Sequence, residues 1–173
     1  MLMTKKMLKA CVSLTTSCPK EGVNGAFWDA NEHDILCVIN PYGGCFFDND
    51  IVNDTDKQKI LNACGTIESK KFYQYFEPLL DKEVYPNGWT EIIRIDDVQK
   101  LITKAKKTDD WKKYADMKVM IQRKFNSRYD IRLFVKIARC IDGQRVMVHY
   151  PAKANQPIIL YGKYGMGLVL PII

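Results

Sequence analysis

Apolar and polar positions along the chain alternate between two periods, and the period changes several times. Residues 5–16 place Met7, Leu8, Cys11 and Leu14 on one side and Lys5, Lys6 and Lys9 on the other, the spacing of an amphipathic helix. Pro19 and Gly22 end that pattern. Two strands are predicted at 24–30 and 34–40 around the turn Asn31-Glu32-His33, and a third at 43–47. Asn53 or Asp54 then caps a short helix reaching about Cys64. The stretch 71–88 carries Phe72, Tyr73, Tyr75, Phe76, Pro78 and Pro86 without a clear period, and reads as an aromatic-rich connection packed on the sheet. Trp89 to Ile95 alternates as a strand. Asp96 caps a helix to about Lys107, with Val98, Leu101, Ile102 and Ala105 on its apolar face and Lys100, Lys104 and Lys107 opposite. A strand at 117–125, a helix at 127–140, a turn at Asp142-Gly143 and strands at 145–150, 157–160 and 167–172 complete the pattern. The last connections are too short for helical crossovers, so the sheet is antiparallel and the class is α+β. The reading is one domain over 1–173, with sub-halves 1–70 and 89–173 joined by the aromatic-rich connection.

Composition narrows the class. Of 173 residues, 47% are hydrophobic and 27% charged, which excludes a disordered chain. No apolar run approaches the roughly 20 residues that span a bilayer. Met1 to Cys11 is broken by Lys5, Lys6 and Lys9, so it holds no uninterrupted apolar leader core. Six cysteines are too few for a disulfide scaffold of this length, and the expected setting is the reducing cytoplasm.

No motif argues for an enzyme. Cys11, Cys18, Cys37, Cys45, Cys64 and Cys140 contain no pair two residues apart, the arrangement by which one turn supplies two zinc ligands. They read as buried free thiols in preference to a cross-hairpin pair of Cys37 and Cys45. His33 and His149 stand alone, so neither a metal site nor a cofactor is expected. Asp48, Asp50, Asp54 and Asp56 imitate a calcium loop, yet Asn53 and Lys59 occupy the places that need Gly and Glu. A metal-dependent nuclease built on Asp48, Asp50 and Asp54 ranks low for that reason. Gly162, Gly165 and Gly167 lead into an apolar strand instead of opening a helix, which makes them a hairpin and not a phosphate loop.

The net charge of +6 matters less than its placement. Each of the three longer helices pairs an apolar face with a basic one. In the last, Arg128, Arg132, Lys136 and Arg139 form a narrow stripe while Ile131, Phe134, Val135 and Ala138 point away. Single stripes of this kind are ordinary solvated faces. Three aligned stripes would track phosphates without reading bases. The candidate DNA contacts are therefore Lys100, Lys104, Lys107, Arg128, Arg132, Lys136 and Arg139, with Lys5 and Lys9 weaker.

The last third carries a resemblance. Phe125-Asn126-Ser127-Arg128-Tyr129, the helix after it, Gln156-Pro157-Ile158-Ile159-Leu160 and the ending Leu168-Val169-Leu170-Pro171-Ile172 resemble the final part of the bacterial sliding clamp, the beta subunit of DNA polymerase III. Lys71 to Pro78 is similar to that family's interdomain segment, followed by a strand and helix matched at 91–107. Departures are visible: Gln156 replaces a usual Ser, Leu170 a Met, and Tyr73-Gln74 a Pro and an acid. The resemblance implies a clamp-like antiparallel sheet with basic helices on one face and no catalysis. It also implies contact with the double-stranded DNA backbone, a homo-oligomeric ring, and tethering of replication or repair factors. It would put a pocket for partner peptides at Leu168, Leu170, Pro171 and Ile172. The rival expectation is a clamp-fold interaction module, or an inhibitor, that binds a host clamp or polymerase and leaves DNA alone.

Overall fold

The computed structural model of the chain describes residues 4–16, 24–29, 34–48, 50–67, 89–107, 129–151 and 155–171. Four helices and seven strands are formed by these residues. In chain order they are α1 (Lys5–Thr16), β1 (Gly25–Asp29), β2 (Ile35–Asn40), β3 (Gly43–Asp48), α2 (Asp54–Cys64), β4 (Trp89–Arg94), α3 (Ile95–Lys107), α4 (Ile131–Ile141), β5 (Arg145–Tyr150), β6 (Ile158–Tyr161) and β7 (Met166–Val169).

The helix starts are set by side chains that absorb free backbone N–H groups. The Thr4 hydroxyl accepts from Met7 N at 3.2 Å. Asn53 accepts from Asp56 N at 2.9 Å, and Gly65, at φ 79°, closes the other end of α2. Asp130 accepts from Arg132 N at 2.8 Å and Leu133 N at 3.4 Å. This last cap corrects the expected helix start at 127, because Asp130 is extended (φ −73°, ψ 109°) and α4 begins only at Ile131. Tyr129 is buried there, its hydroxyl donating to the Gln156 carbonyl.

All strand pairs are antiparallel, in the order β1-β2-β3-β7-β6-β5-β4. The chain uses the same succession twice, a helix followed by three strands: α1-β1-β2-β3 and α4-β5-β6-β7. The two arms join where Gly43 to Phe46 pairs with Val169 to Met166. All four helices lie on one face, with α2, α1, α4 and α3 in that order across the sheet. Leu36 and Val38 of β2 point at the helices, whereas Ile35, Cys37 and Ile39 point the other way into a second cluster with Phe46 and Leu168. Burial on both faces explains why β2 is a continuous apolar run.

Three further details differ from the sequence reading. The final strand ends at Val169, because Leu170 N leaves the ladder and donates to the Tyr42 carbonyl at 2.8 Å. Leu101 is 36% exposed, so Ile95, Val98 and Ile102 seat α3. Ile95 belongs to the helix and not the strand, which places Asp96 inside the first turn. The expected connection at 71–88 and strand at 117–125 lie outside the described residues. No described helix is long and apolar enough to cross a membrane.

Helix α4 approaches the joint between the arms closely enough to need glycine. A Cβ on Gly167 would overlap Ile137 Cγ2 and touch Ile141 Cδ1. Gly167→Val is expected to destabilise the fold by about 1–3 kcal/mol through overpacking, read as a lower denaturation midpoint with an unchanged m value.

Candidate nucleic-acid interface

Helix α4 is the middle of the basic layer, flanked by α1 on one side and α3 on the other. Its apolar stripe is fully committed, with Leu133, Phe134, Val135, Ile137, Ala138, Cys140 and Ile141 all buried. The 3.6-residue period then fixes Arg132, Lys136 and Arg139 on the outer side. Between α4 and α1 lies a groove of about 770 Å³, closed at one end by the α4–β5 and β6–β7 turns. Five cations line it, Lys6, Lys9, Lys136, Arg139 and Lys163, against the carboxylates of Asp96 and Asp142.

Asp142 is already engaged. Its Oδ1 accepts from Gln144 N at 3.0 Å and Arg145 N at 3.2 Å, and its Oδ2 from Lys163 N at 3.0 Å. The carboxylate thus ties the two turns together and fixes Lys163, whose ammonium lies 5.2 Å from the Tyr164 ring centroid. Arg139 donates to Gln99 Oε1 on α3 at 3.1 Å, so its guanidinium bridges toward the third helix. Lys136 is half-buried and donates to the Ser13 carbonyl on α1 at 3.4 Å. Burial lowers its pKa from the usual lysine value, with Asp130 opposing that shift.

The structure sorts the expected contacts. Lys9, Lys136 and Arg139 meet in the groove. Lys5 is exposed on α1 but does not line it; its neighbour Lys6 does. Lys100, Lys104 and Lys107 are exposed along α3, on the other side of α4, with Lys100 3.4 Å from Asp97. Arg132 is exposed and forks onto the Asp130 carboxylate at 3.2 Å. Arg128 lies outside the described residues. Lys163 was missed because the glycines around it drew attention to backbone geometry instead of charge.

The expected peptide-pocket residues are on the opposite face. Leu168 is fully buried with Ile35, Cys37, Ile39 and Phe46, and Leu170 packs against that cluster half-buried. Pro171 is half-buried, and Ile172 is outside the described residues. Further along that face, Ile92 and Met147 stand opposite each other in register and are 68% and 41% exposed.

A feature that linear spacing concealed lies under the groove. Cys11 of α1, Cys45 of β3 and Cys140 of α4 bring their Sγ atoms within 4.8 Å of one another, and all three are buried. Hydrogen bonding to Cys140, helped by burial, pushes the Cys11 thiol well up; burial does the same to Cys45. Burial also opposes ionisation of Cys140, but hydrogen bonds from the other two thiols outweigh it and bring Cys140 down to about 6. Asp48, Asp50 and Asp54 form no comparable group among the described residues, and Asp54 pairs with Lys57 at 3.2 Å.

No protein-family model and no curated protein matches the sequence. Among solved structures, the DNA polymerase III subunit beta from Borrelia burgdorferi, determined in complex with a natural product, superposes over 97% of this chain with a TM-score of 0.56 and 8% identity. This chain has a clamp-like fold. The match spans 62% of the length of the Borrelia subunit. At that identity the similarity shows the fold alone, and the groove lies in the helix layer of this chain's own sheet.

Removing the Asp142 carboxylate tests how the groove is held. Asp142→Ala is expected to cost about 1–2 kcal/mol and to speed hydrogen exchange at the Gln144, Arg145 and Lys163 amides selectively. Uniform exchange across β5–β7 in this variant would show that the carboxylate does not hold the turns.

Proposed function

We propose that the chain is a non-enzymatic, clamp-like protein that holds the backbone of double-stranded DNA and tethers a replication or repair factor to it. The observation that carries this reading is the α1–α4 groove, where five cations from two helices and a turn converge on the helix layer of a clamp-like sheet. Ammonium and guanidinium groups neutralise phosphates and ignore base identity. The exposed lysines of α3 extend the same surface. Among the described residues, no acidic partner pairs with Lys5, Lys6, Lys9 or Lys107.

The test is duplex binding across a salt series. For Lys9→Ala combined with Arg139→Ala, the slope of log K against log salt is expected to become shallower by about 2, near 0.9 per lost phosphate contact. The loss should be equal on duplexes of unrelated sequence. Wild-type affinity and slope in the double variant would overturn the assignment of the groove.

A second reading, docking onto protein instead of DNA, is favoured by the other face. There Ile92 and Met147 form an exposed apolar pair beside β4, and no described strand pairs with the outer edge of β4. An open edge with an apolar neighbour is a surface suited to strand addition. It also suits assembly of a homo-oligomer, which ring closure would require. Light scattering over a concentration series separates the cases. A discrete oligomer that Ile92→Lys converts to monomer supports assembly through this edge. A monomer at every concentration removes self-assembled encirclement and favours docking on another protein.

A further inference from the structure

Five cysteines are described, and they are all free thiols. Cys37 shows the ordinary role of such a residue: it fills a small apolar volume among Ile35, Ile39, Phe46 and Leu168 on the far face. Cys11, Cys45 and Cys140 are arranged differently. They come from a helix, a strand and a second helix far apart in sequence, yet their sulfurs share one point in the core. All three residues are 0% exposed, and their Sγ atoms lie within 4.8 Å of one another. Three sulfurs held at about 2.3 Å from one ion stand about 4 Å apart, so the trio would need to contract by less than about 1 Å.

We propose that Cys11, Cys45 and Cys140 form a buried three-thiolate site for a single soft metal ion of the zinc or copper(I) kind. The donor set decides the class. It is all sulfur, with no carboxylate or imidazole among the described residues completing the group, which excludes magnesium and calcium chemistry. A disulfide would use two of the sulfurs and leave the third without a role, whereas an ion engages all three. Binding displaces the protons the sulfurs still carry, which are released to solvent, and leaves a residual negative charge beneath Lys136, one turn before Cys140 on α4. The ion would then link α1 and α4 to β3 at the joint of the two sheet arms. This inference stands independently of DNA binding.

The site is sealed, so loading belongs to folding, and the test begins in the producing cell. The full chain is expressed in medium supplemented with zinc or, separately, with copper, and purified under reducing, anaerobic conditions. Elemental analysis is expected to find about one equivalent of metal per chain in one of the two, which also identifies the ion. Cys37→Ala should keep that equivalent, and Cys45→Ala or Cys140→Ala should lose it. A strong chelator should lower the melting temperature of the wild-type chain by about 5 °C or more, while leaving a folded Cys140→Ala chain unmoved. If the cysteine variants do not fold, the wild-type metal content decides alone. Folded wild-type protein without either metal overturns the proposal, as does retention of metal by folded Cys140→Ala.

Discussion

The pairing of β3 with β7 is the contact on which the other features depend. It joins segments more than a hundred residues apart in the chain and turns a three-stranded arm and a four-stranded arm into one sheet. Neither arm would cover its apolar face alone, since the core on the helix side runs continuously from Met7 and Val38 to Phe134 and Leu160. Small residues at the joint are part of the same solution. Gly43 and Gly167 leave no side chain where Ile137 sits, so α4 settles directly over the seam and seals both arms. Once α4 is placed there, α1 and α3 have only its two flanks to occupy.

That placement converts three unremarkable amphipathic helices into one charged surface. Each basic stripe by itself is what solvation asks of a helix whose other side is buried. Packing α1 against α4 brings Lys6 and Lys9 opposite Lys136 and Arg139, and the Asp142 bridge adds Lys163 from a turn. Desolvation is only partial, as the lowered pKa of Lys136 and its bond to the Ser13 carbonyl show. The other cations keep their access to solvent and hence to an anionic partner.

Most elements were legible because local rules decide them. The period of α1, the Asn53 cap, the Asp142-Gly143 turn and the alternation of β5 require no tertiary knowledge. The errors lie where tertiary contacts choose between local options. The helical period carries the sequence reading back to Ser127, whereas Asp130 caps α4 and the Tyr129 hydroxyl donates to the Gln156 carbonyl. Leu101 fits the apolar stripe of α3 by period and still stays partly exposed, because among the described residues α3 has a helix neighbour, α4, on one flank only. Lys5 and Lys6 are equivalent by composition, and only the angle of α1 on α4 admits Lys6 to the groove. The cysteines were the least legible. A spacing argument sees ligands that share a turn, while these three converge through the sheet topology.

The thiol trio and the basic groove are two sides of the same helix pair. Cys11 and Lys9 sit on α1, Cys140, Lys136 and Arg139 on α4, and the Cys140 sulfur contacts the Lys136 carbonyl at 3.2 Å. The distance between α1 and α4 therefore fixes both how closely the sulfurs approach and how widely the groove opens. A core residue at this seam changes the cation spacing without touching a charge, and a polyanion drawing the cations together presses on the sulfurs beneath. Interiors are packed too densely to absorb such a shift by local give. What packs between α1 and α4 therefore sets their separation, which makes the groove's geometry a property of the core and not of its exposed lysines.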